Sequence, residues 1–135
     1  MGASKKTRNE GEFMKIVDFN QIDSLLILES ETDEPIVTEL LDIYKVQFQN
    51  LMNDLELAYT NQDLYKMSNL AHKLKSSSYN LGFSAVGDLC LKIETEGRKK
   101  TALDYRSIFS EMKSLYFESL QLIDDKLLKA QLKAS

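Results

Sequence analysis

One short stretch, AHKLKSSSYNLG at residues 71–82, contains the side chains of this chain that are best suited to chemistry. It holds the only histidine, His72, which is followed by Lys75 and Ser76. A free imidazole is largely neutral near pH 7, so it can act as a nucleophile, a base or a metal ligand. One histidine and one cysteine in 135 residues do not make a zinc site. The question is whether His72 carries out chemistry or is an inert surface residue.

Helical geometry predicts that His72 lies on the outer face of its helix. The apolar residues around it recur at helical spacing, at Leu64, Met67, Leu70, Ala71 and Leu74. At about 100° per residue, His72 lies roughly 150° from the centre of this stripe. Residues three, four and seven positions away share its face, and those of interest are Ser68, Asn69, Lys75, Ser76 and Tyr79. We expect Ser68, Asn69 and Tyr79 to contact a partner.

The neighbours of His72 limit the reactions that it can support. No carboxylate lies at these helical spacings to orient the ring, and no glycine loop follows that could form an oxyanion hole, so a Ser–His–acid triad is not expected. The pattern suits His72 as the nucleophile itself. If the ring received a phosphoryl group, Lys75 one turn away could neutralise the added charge. A glycine-rich phosphate loop is missing, so ATP binding is not expected.

Composition favours a single domain in the cytoplasm. The 135 residues carry a net charge of −4, which argues against nucleic-acid binding. There is no apolar run long enough to cross a membrane, and the first residues, MGASKKTRNEGEF, lack the apolar core of a secretory signal. The single cysteine excludes an internal disulfide and is typical of a reducing compartment.

Helical periodicity predicts an all-α fold with one short helix and four long ones. The short helix is expected near 19–28, and the long ones at about 34–59, 61–82, 84–97 and 102–131. Thr32 or Asp33, Asn61 and Ser84 are the expected N-caps. Short connections favour an antiparallel, up-down four-helix bundle with an extra N-terminal helix. We expect this domain to span 17–131, with a disordered arm or cloning leader at 1–16 and a tail at 132–135.

The stretch around His72 resembles the signature of histidine phosphotransfer (Hpt) domains, A-H-x-L-K-G-S-[SA]-x-x-[LIV]-G. The matching residues are Ala71, His72, Leu74, Lys75, Ser77, Leu81 and Gly82. Further along, GDLCLKIE resembles the L-x-x-L-C-x-x-[LI]-E helix that follows the signature in family members, through Leu89, Cys90, Ile93 and Glu94. The resemblance covers roughly residues 17–130.

This resemblance implies a phosphorelay intermediate. His72 would accept a phosphoryl group from a phospho-aspartate receiver domain and pass it to another receiver domain, and Lys75 would lie beside that group. The implied partners are response-regulator receiver domains and a hybrid histidine kinase. The receiver domain would supply the aspartate and Mg²⁺, so neither a cofactor nor a metal site is expected on this chain. The resemblance implies a monomeric phosphocarrier rather than an enzyme.

Several alternatives stay open at this point. Ser76 stands where the signature has glycine, and its hydroxyl could assist the transfer, hinder it or do neither. The chain could be a pseudo-Hpt protein that binds receiver domains without accepting phosphate, or a helical scaffold. Tyr79, Leu81 and Phe83 fit either a docking surface or core packing. We expect Arg98–Lys100 to be a solvated turn and Cys90 to lie in the core.

Overall fold

A computed structural model describes residues 16–134 of the chain, with side chains through Lys133. The expectations for residues 1–15 and for Ser135 lie outside this range. Within it there are five helices and no strand: α1 (Phe19–Thr32), α2 (Ile36–Thr60), α3 (Leu64–Asn80), α4 (Ser84–Arg98) and α5 (Tyr105–Ala134). None of these helices is both long enough and apolar enough to cross a membrane.

Helices α2 to α5 form the bundle. Helix α2 packs on α3, α3 on α4, α4 on α5, and α5 closes the ring against α2, while α1 packs on the outside of α2. Because the connections at 61–63, 81–83 and 99–104 are short, consecutive helices run antiparallel. The predicted all-α bundle with an extra N-terminal helix is confirmed, although α1 continues to Thr32 rather than ending at residue 28.

Aromatic rings fill the centre of the bundle. The rings of Phe48 on α2 and Tyr116 on α5 stack with centroids 3.7 Å apart, and the ring of Tyr44 lies 4.4 Å from that of Phe83. On α3 the predicted apolar stripe faces this core, since Met67, Ala71 and Leu74 are fully buried. This packing fixes the rotation of α3 and therefore decides which of its residues face outward.

The caps at the start of α3 and α4 differ from the predicted ones. Asp63, not Asn61, caps α3, because its carboxylate accepts a hydrogen bond from the backbone N–H of Lys66 at 3.0 Å. Ser84 is the first residue of α4 rather than its cap, and no side chain caps that helix. Both differences are shifts of one or two residues at a helix end, where propensity alone discriminates poorly.

The N-terminus of α2 is capped by a residue from the preceding helix. Glu29 on α1 accepts a hydrogen bond from the backbone N–H of Val37 at 2.7 Å. The predicted caps are used elsewhere: the Thr32 hydroxyl donates to the carbonyl of Leu28, and Asp33 ends α1 in a left-handed conformation with φ of 61°. Tertiary contact therefore replaces the local cap that the sequence predicted.

The turn between α3 and α4 anchors the chain ahead of α1. The backbone N–H of Asp18 donates to the carbonyl of Gly82 at 2.8 Å, and Gly82 adopts a φ of 84°. A Cβ at this glycine would collide with the carbonyl oxygen of Asp18. Ile16, assigned to the arm by the sequence, is buried beside Val17 in the core. At the other end, α5 runs through the expected tail to Ala134.

Candidate functional site

His72 lies in the middle of α3 and faces out of the bundle. Its side chain is 54% exposed, as the helical geometry predicts. Its two neighbours in the sequence differ in exposure: Ala71 is fully buried in the core and Lys73 is exposed. The bundle therefore leaves the imidazole exposed, while the packing of α3 fixes the rotation of the helix.

A buried carboxylate from the neighbouring helix holds the imidazole. Glu94 on α4 is only 3% exposed, and its Oε2 lies 2.7 Å from Nδ1 of His72. Its other oxygen, Oε1, accepts a hydrogen bond from Nζ of Lys75 at 2.7 Å. No carboxylate lies at the helical spacings from His72, as predicted, but the conclusion that no acid orients the ring is wrong, because Glu94 reaches it from another helix, 22 residues away in the sequence.

Arg98 is the third side chain that contacts the Glu94 carboxylate, after His72 and Lys75. Its guanidinium lies 3.0 Å from Oε2 of Glu94, one helical turn away on α4. The expectation of a solvated turn at Arg98–Lys100 is therefore wrong for Arg98, which belongs to the last turn of α4. Lys99 matches that expectation better, because it is exposed and its ion pair with Glu96 is long, at 3.8 Å.

A close approach of α3 and α4 makes this arrangement possible. Gly97 faces α3, and a Cβ there would lie 3.2 Å from Cε of Met67 and 3.3 Å from Cβ of Ser68. Ser68 is fully buried, and its hydroxyl donates to the backbone carbonyl of Glu94 at 2.7 Å. The prediction of Ser68 as a partner contact is wrong, because a second face of α3, beside the apolar stripe, packs on α4.

The charge state of Glu94 fixes the tautomer of His72. Burial raises the pKa of the Glu94 carboxyl, but hydrogen bonds from Lys75 and His72 outweigh it, so the pKa lies below its usual value. The ionised carboxylate can only accept hydrogen bonds. Nδ1 of His72 must therefore carry the hydrogen, which leaves the lone pair of the neutral ring on Nε2, pointing away from Glu94.

The remaining predicted site residues fall into two groups. Asn69 and Ser76 are exposed on the His72 face, and the Ser76 hydroxyl makes only a long contact of 3.5 Å to the carbonyl of His72. Tyr79 is half-buried and donates to Oδ1 of Asp88 on α4 at 2.7 Å. Leu81 and Phe83, which fitted either a docking surface or core packing, both lie in the core.

The chain's one thiol is not exposed at this site. Cys90 is fully buried, as predicted, and burial raises the pKa of its thiol. In the part of the chain that the structure describes, no three His, Cys, Asp or Glu side chains are grouped so as to hold a metal ion. The site at α3 and α4 therefore consists of one exposed imidazole, one buried carboxylate and two cations.

Sequence reasoning missed Glu94 and Arg98 as parts of the site. The signal for Glu94 was its place at the end of GDLCLKIE, where an acidic residue follows the buried stripe of Cys90 and Ile93. The signal for Arg98 was its spacing of four residues from Glu94, which allows an ion pair along the helix. Neither signal shows that these side chains meet His72, because that contact depends on how α4 packs against α3.

Comparison with known proteins gives matches in sequence. The family model described as "Hpt domain" matches residues 39–131, a range that contains His72, Glu94 and Arg98. The chain is also similar to "Multistep phosphorelay regulator 1" of Schizosaccharomyces pombe, with 26% identity over 113 residues. That alignment covers 82% of this chain but only 38% of the relative's length. No solved structure matches the chain. Because the family model covers more than half of the sequence, the chain belongs to the Hpt domain family.

Proposed function

We propose that this protein is a phosphorelay intermediate that carries a phosphoryl group on Nε2 of His72. It takes the group from the phospho-aspartate of one receiver domain and delivers it to the aspartate of another. The observation that carries this proposal is the pairing of an exposed imidazole with a buried carboxylate at Nδ1. Membership of the Hpt family supports the same function.

The transfer step follows from the tautomer of His72. The lone pair on Nε2 attacks the phosphorus of the aspartyl phosphate, the P–O bond to the aspartate breaks, and the carboxylate leaves with the electron pair. The new N–P bond leaves the ring with a positive charge and with its hydrogen still on Nδ1. Glu94, at 2.7 Å from Nδ1, stabilises that charge in both directions of transfer.

Lys75 and Arg98 supply positive charge for the phosphoryl group. Both side chains already meet the carboxylate that holds His72. A phosphoryl group adds about −1.5 to −2 charges at pH 7, which two nearby cations can offset. The Lys75 ammonium has two further donors beyond its bond to Glu94, so it can bind the phosphoryl oxygens without releasing the carboxylate.

An apolar groove beside His72 supports a receiver domain as the docking partner. The groove, of about 410 Å³, lies between α1, α2 and α3 and is lined by residues that include Leu25, Leu40, Ile43, Ser77 and Asn80. Along α3, positions 72, 76 and 80 follow one another at four-residue spacing, so the groove continues the His72 face. Asn69 borders the same face one turn below. The receiver domain that brings the aspartate covers this surface.

The wider setting of the reaction is part of the same proposal. We assign response-regulator receiver domains and a hybrid histidine kinase as partners, a monomeric state for this chain, and a cytoplasmic location. The buried, unpaired Cys90 fits a reducing compartment. The receiver domain is expected to bring the Mg²⁺, and the source of phosphate is an aspartyl phosphate rather than ATP bound to this chain.

The test is transfer of radioactive phosphate from purified phosphorylated receiver domains. Wild-type protein should become labelled, and the label should be lost in acid and stable in base, as expected of a phosphoramidate. His72→Gln should remain unlabelled while keeping its helical circular dichroism. Lys73→Gln, which changes the exposed neighbour of His72, is the matched control and should be labelled normally. Persistent labelling of His72→Gln would refute this assignment.

A further inference from the structure

Tyr79 occupies the edge of the His72 face that adjoins α4. It lies seven residues after His72 and four after Lys75, so the three side chains share one face of α3. The Tyr79 hydroxyl donates to Oδ1 of Asp88 at 2.7 Å. The ring itself lies over Gly87, where any Cβ would collide with three ring carbons. The tyrosine is thus held both by its hydroxyl and beneath its ring.

These two contacts make the ring a rigid part of the surface. Burial and the hydrogen bond to the Asp88 carboxylate both raise the pKa of the Tyr79 phenol, so it remains a donor at neutral pH. A glycine inside a helix costs about 0.5–1 kcal/mol relative to alanine. At Gly87 the missing Cβ leaves the space that the Tyr79 ring occupies, so the contact with the ring accompanies that cost. An aromatic side chain fixed in this way loses little entropy when a partner packs against it.

An exposed leucine on α4 extends the same edge. Leu91 is 45% exposed and lies three residues after Asp88 and three before Glu94. Since Asp88 contacts Tyr79 and Glu94 contacts His72, Leu91 lies on α4 between the two points where that helix touches the site. Tyr79 and Leu91 together therefore form an apolar border on the α4 side of His72.

A partner that reaches His72 must also cover this border. A specific protein interface buries about 800 Å² on each partner, which corresponds to a disc of roughly 16 Å radius. Seven helical residues span about 10 Å, so Tyr79 lies well inside a footprint centred on His72. A receiver domain that brings its aspartate to Nε2 therefore contacts Tyr79 or lies directly over it.

We propose that Tyr79, fixed by Gly87 and Asp88, is a specificity-determining contact that selects receiver domains with an apolar surface opposite this border. The inference rests on the proposed function of His72 and adds which receiver domains the site prefers. Tyrosine is among the residues that contribute most to binding energy at protein interfaces. A rigid ring selects by shape, because a receiver domain with a bulky or charged residue at that point cannot dock closely.

The main test measures the transfer rate against the concentration of each of several phosphorylated receiver domains. For the preferred receiver, Tyr79→Ala should raise the half-saturating concentration at least tenfold and leave the saturating rate within about twofold. Tyr79→Phe keeps the ring and should stay within about threefold of wild type. Phe117→Ala on α5 removes an aromatic ring that is 66% exposed and should change neither value.

Two further substitutions separate the ring from the groups that hold it. Asp88→Asn keeps an acceptor for the Tyr79 hydroxyl and should behave like wild type, and Asp88→Ala removes the same hydrogen bond as Tyr79→Phe and should likewise stay within about threefold of wild type. Gly87→Ala should displace the ring and weaken docking in the same direction as Tyr79→Ala. If Tyr79→Ala lowers the melting temperature but leaves every half-saturating concentration unchanged, the ring serves packing only and this inference is wrong. A wild type that no receiver labels would instead overturn the role of His72 itself, and this inference with it.

Discussion

Oε2 of Glu94 on α4 lies 2.7 Å from Nδ1 of His72 on α3, although 22 residues separate the two in the sequence. The same carboxylate binds Lys75 and Arg98, so one buried acid orients the imidazole and gathers the cations around it. A charged acceptor at Nδ1 leaves the lone pair of the neutral ring on Nε2. The orientation of the exposed imidazole is thus set by a residue that is itself buried.

Replacing Glu94 with glutamine should slow phosphoryl transfer about tenfold or more. The glutamine oxygen can still accept from Nδ1, but it lacks the charge that stabilises the positively charged ring after attack. A hydrogen bond to a charged group contributes about 1.5–3 kcal/mol, and 1.4 kcal/mol corresponds to a factor of ten. Single-turnover transfer from a phosphorylated receiver domain measures the effect.

The tautomer gives an independent readout of the same contact. Since the chain has one histidine, its ring nitrogen signals in an NMR spectrum need no assignment. Wild-type protein should show hydrogen on Nδ1, and Glu94→Ala should lose that preference and transfer more slowly still. Glu96→Gln, on the same helix, is the control. Equal transfer rates for wild type and Glu94→Ala would show that the carboxylate does not assist the reaction.

The stability of the protein should fall in acid partly through Glu94. Its native pKa lies below the ordinary value of 4.5 because Lys75 and His72 donate to the carboxylate. The stabilisation is therefore fully present above about pH 4.5 and is lost as the pH falls through the lowered native pKa. Urea unfolding should show Glu94→Gln less stable than wild type at pH 7 by about 1–2 kcal/mol. That difference should shrink as the pH is lowered below 4.5, and a difference that stays constant with pH would contradict this account.

The helical stripe explains why part of the site was predictable. A period of 3.6 residues places Met67, Ala71 and Leu74 inside, so His72 must face outward, and it does. The same reasoning treated α3 as having one buried face. Ser68 was therefore expected outside, whereas α4 buries it by packing closely at Gly97. Which second face a helix uses depends on its neighbours, and one-dimensional periodicity does not contain that information.

Contacts between helices also explain the errors at the caps and at the carboxylate. Glu29 caps α2 from another helix, and Glu94 reaches His72 from another helix. Both acids were visible in the sequence, but a search at spacings of three and four residues cannot connect positions on separate helices. The order and type of the helices, by contrast, follow from local periodicity and short connections, and they were predicted correctly.

Ser76→Gly should leave the transfer rate within about threefold of wild type. The Ser76 hydroxyl faces the carbonyl of His72 at 3.5 Å, a distance too long for a strong hydrogen bond. The substitution should lower the free energy of unfolding by roughly 0.5 kcal/mol, because glycine is the poorer helix former. Transfer kinetics and urea unfolding measure the two effects. A large gain in transfer rate would show that the serine crowds the phosphoryl group.

Gly82→Ala should destabilise the protein by about 1–2 kcal/mol or more. The left-handed conformation at φ of 84° is unfavourable for a residue with a Cβ, and that atom would also collide with the carbonyl oxygen of Asp18. Urea unfolding measures the loss, and Asn80→Ala, which changes an exposed residue near the same turn, is the control. An unchanged unfolding midpoint would mean that the chain before α1 does not need this turn.

Cys90 should resist thiol reagents in the folded protein. Its side chain is fully buried, and burial raises the pKa of the thiol, so very little thiolate is present at pH 8. Because the chain has only one cysteine, the colour released from a disulfide reagent such as DTNB reports this residue alone. The reaction should be slow in buffer and fast in concentrated urea.

The rate of the Cys90 reaction at low urea should follow the unfolding equilibrium, so a destabilised variant such as Gly82→Ala should react faster in proportion to its unfolded fraction. Rapid labelling of the native wild type would show that α4 separates from the bundle far more often than its packing indicates.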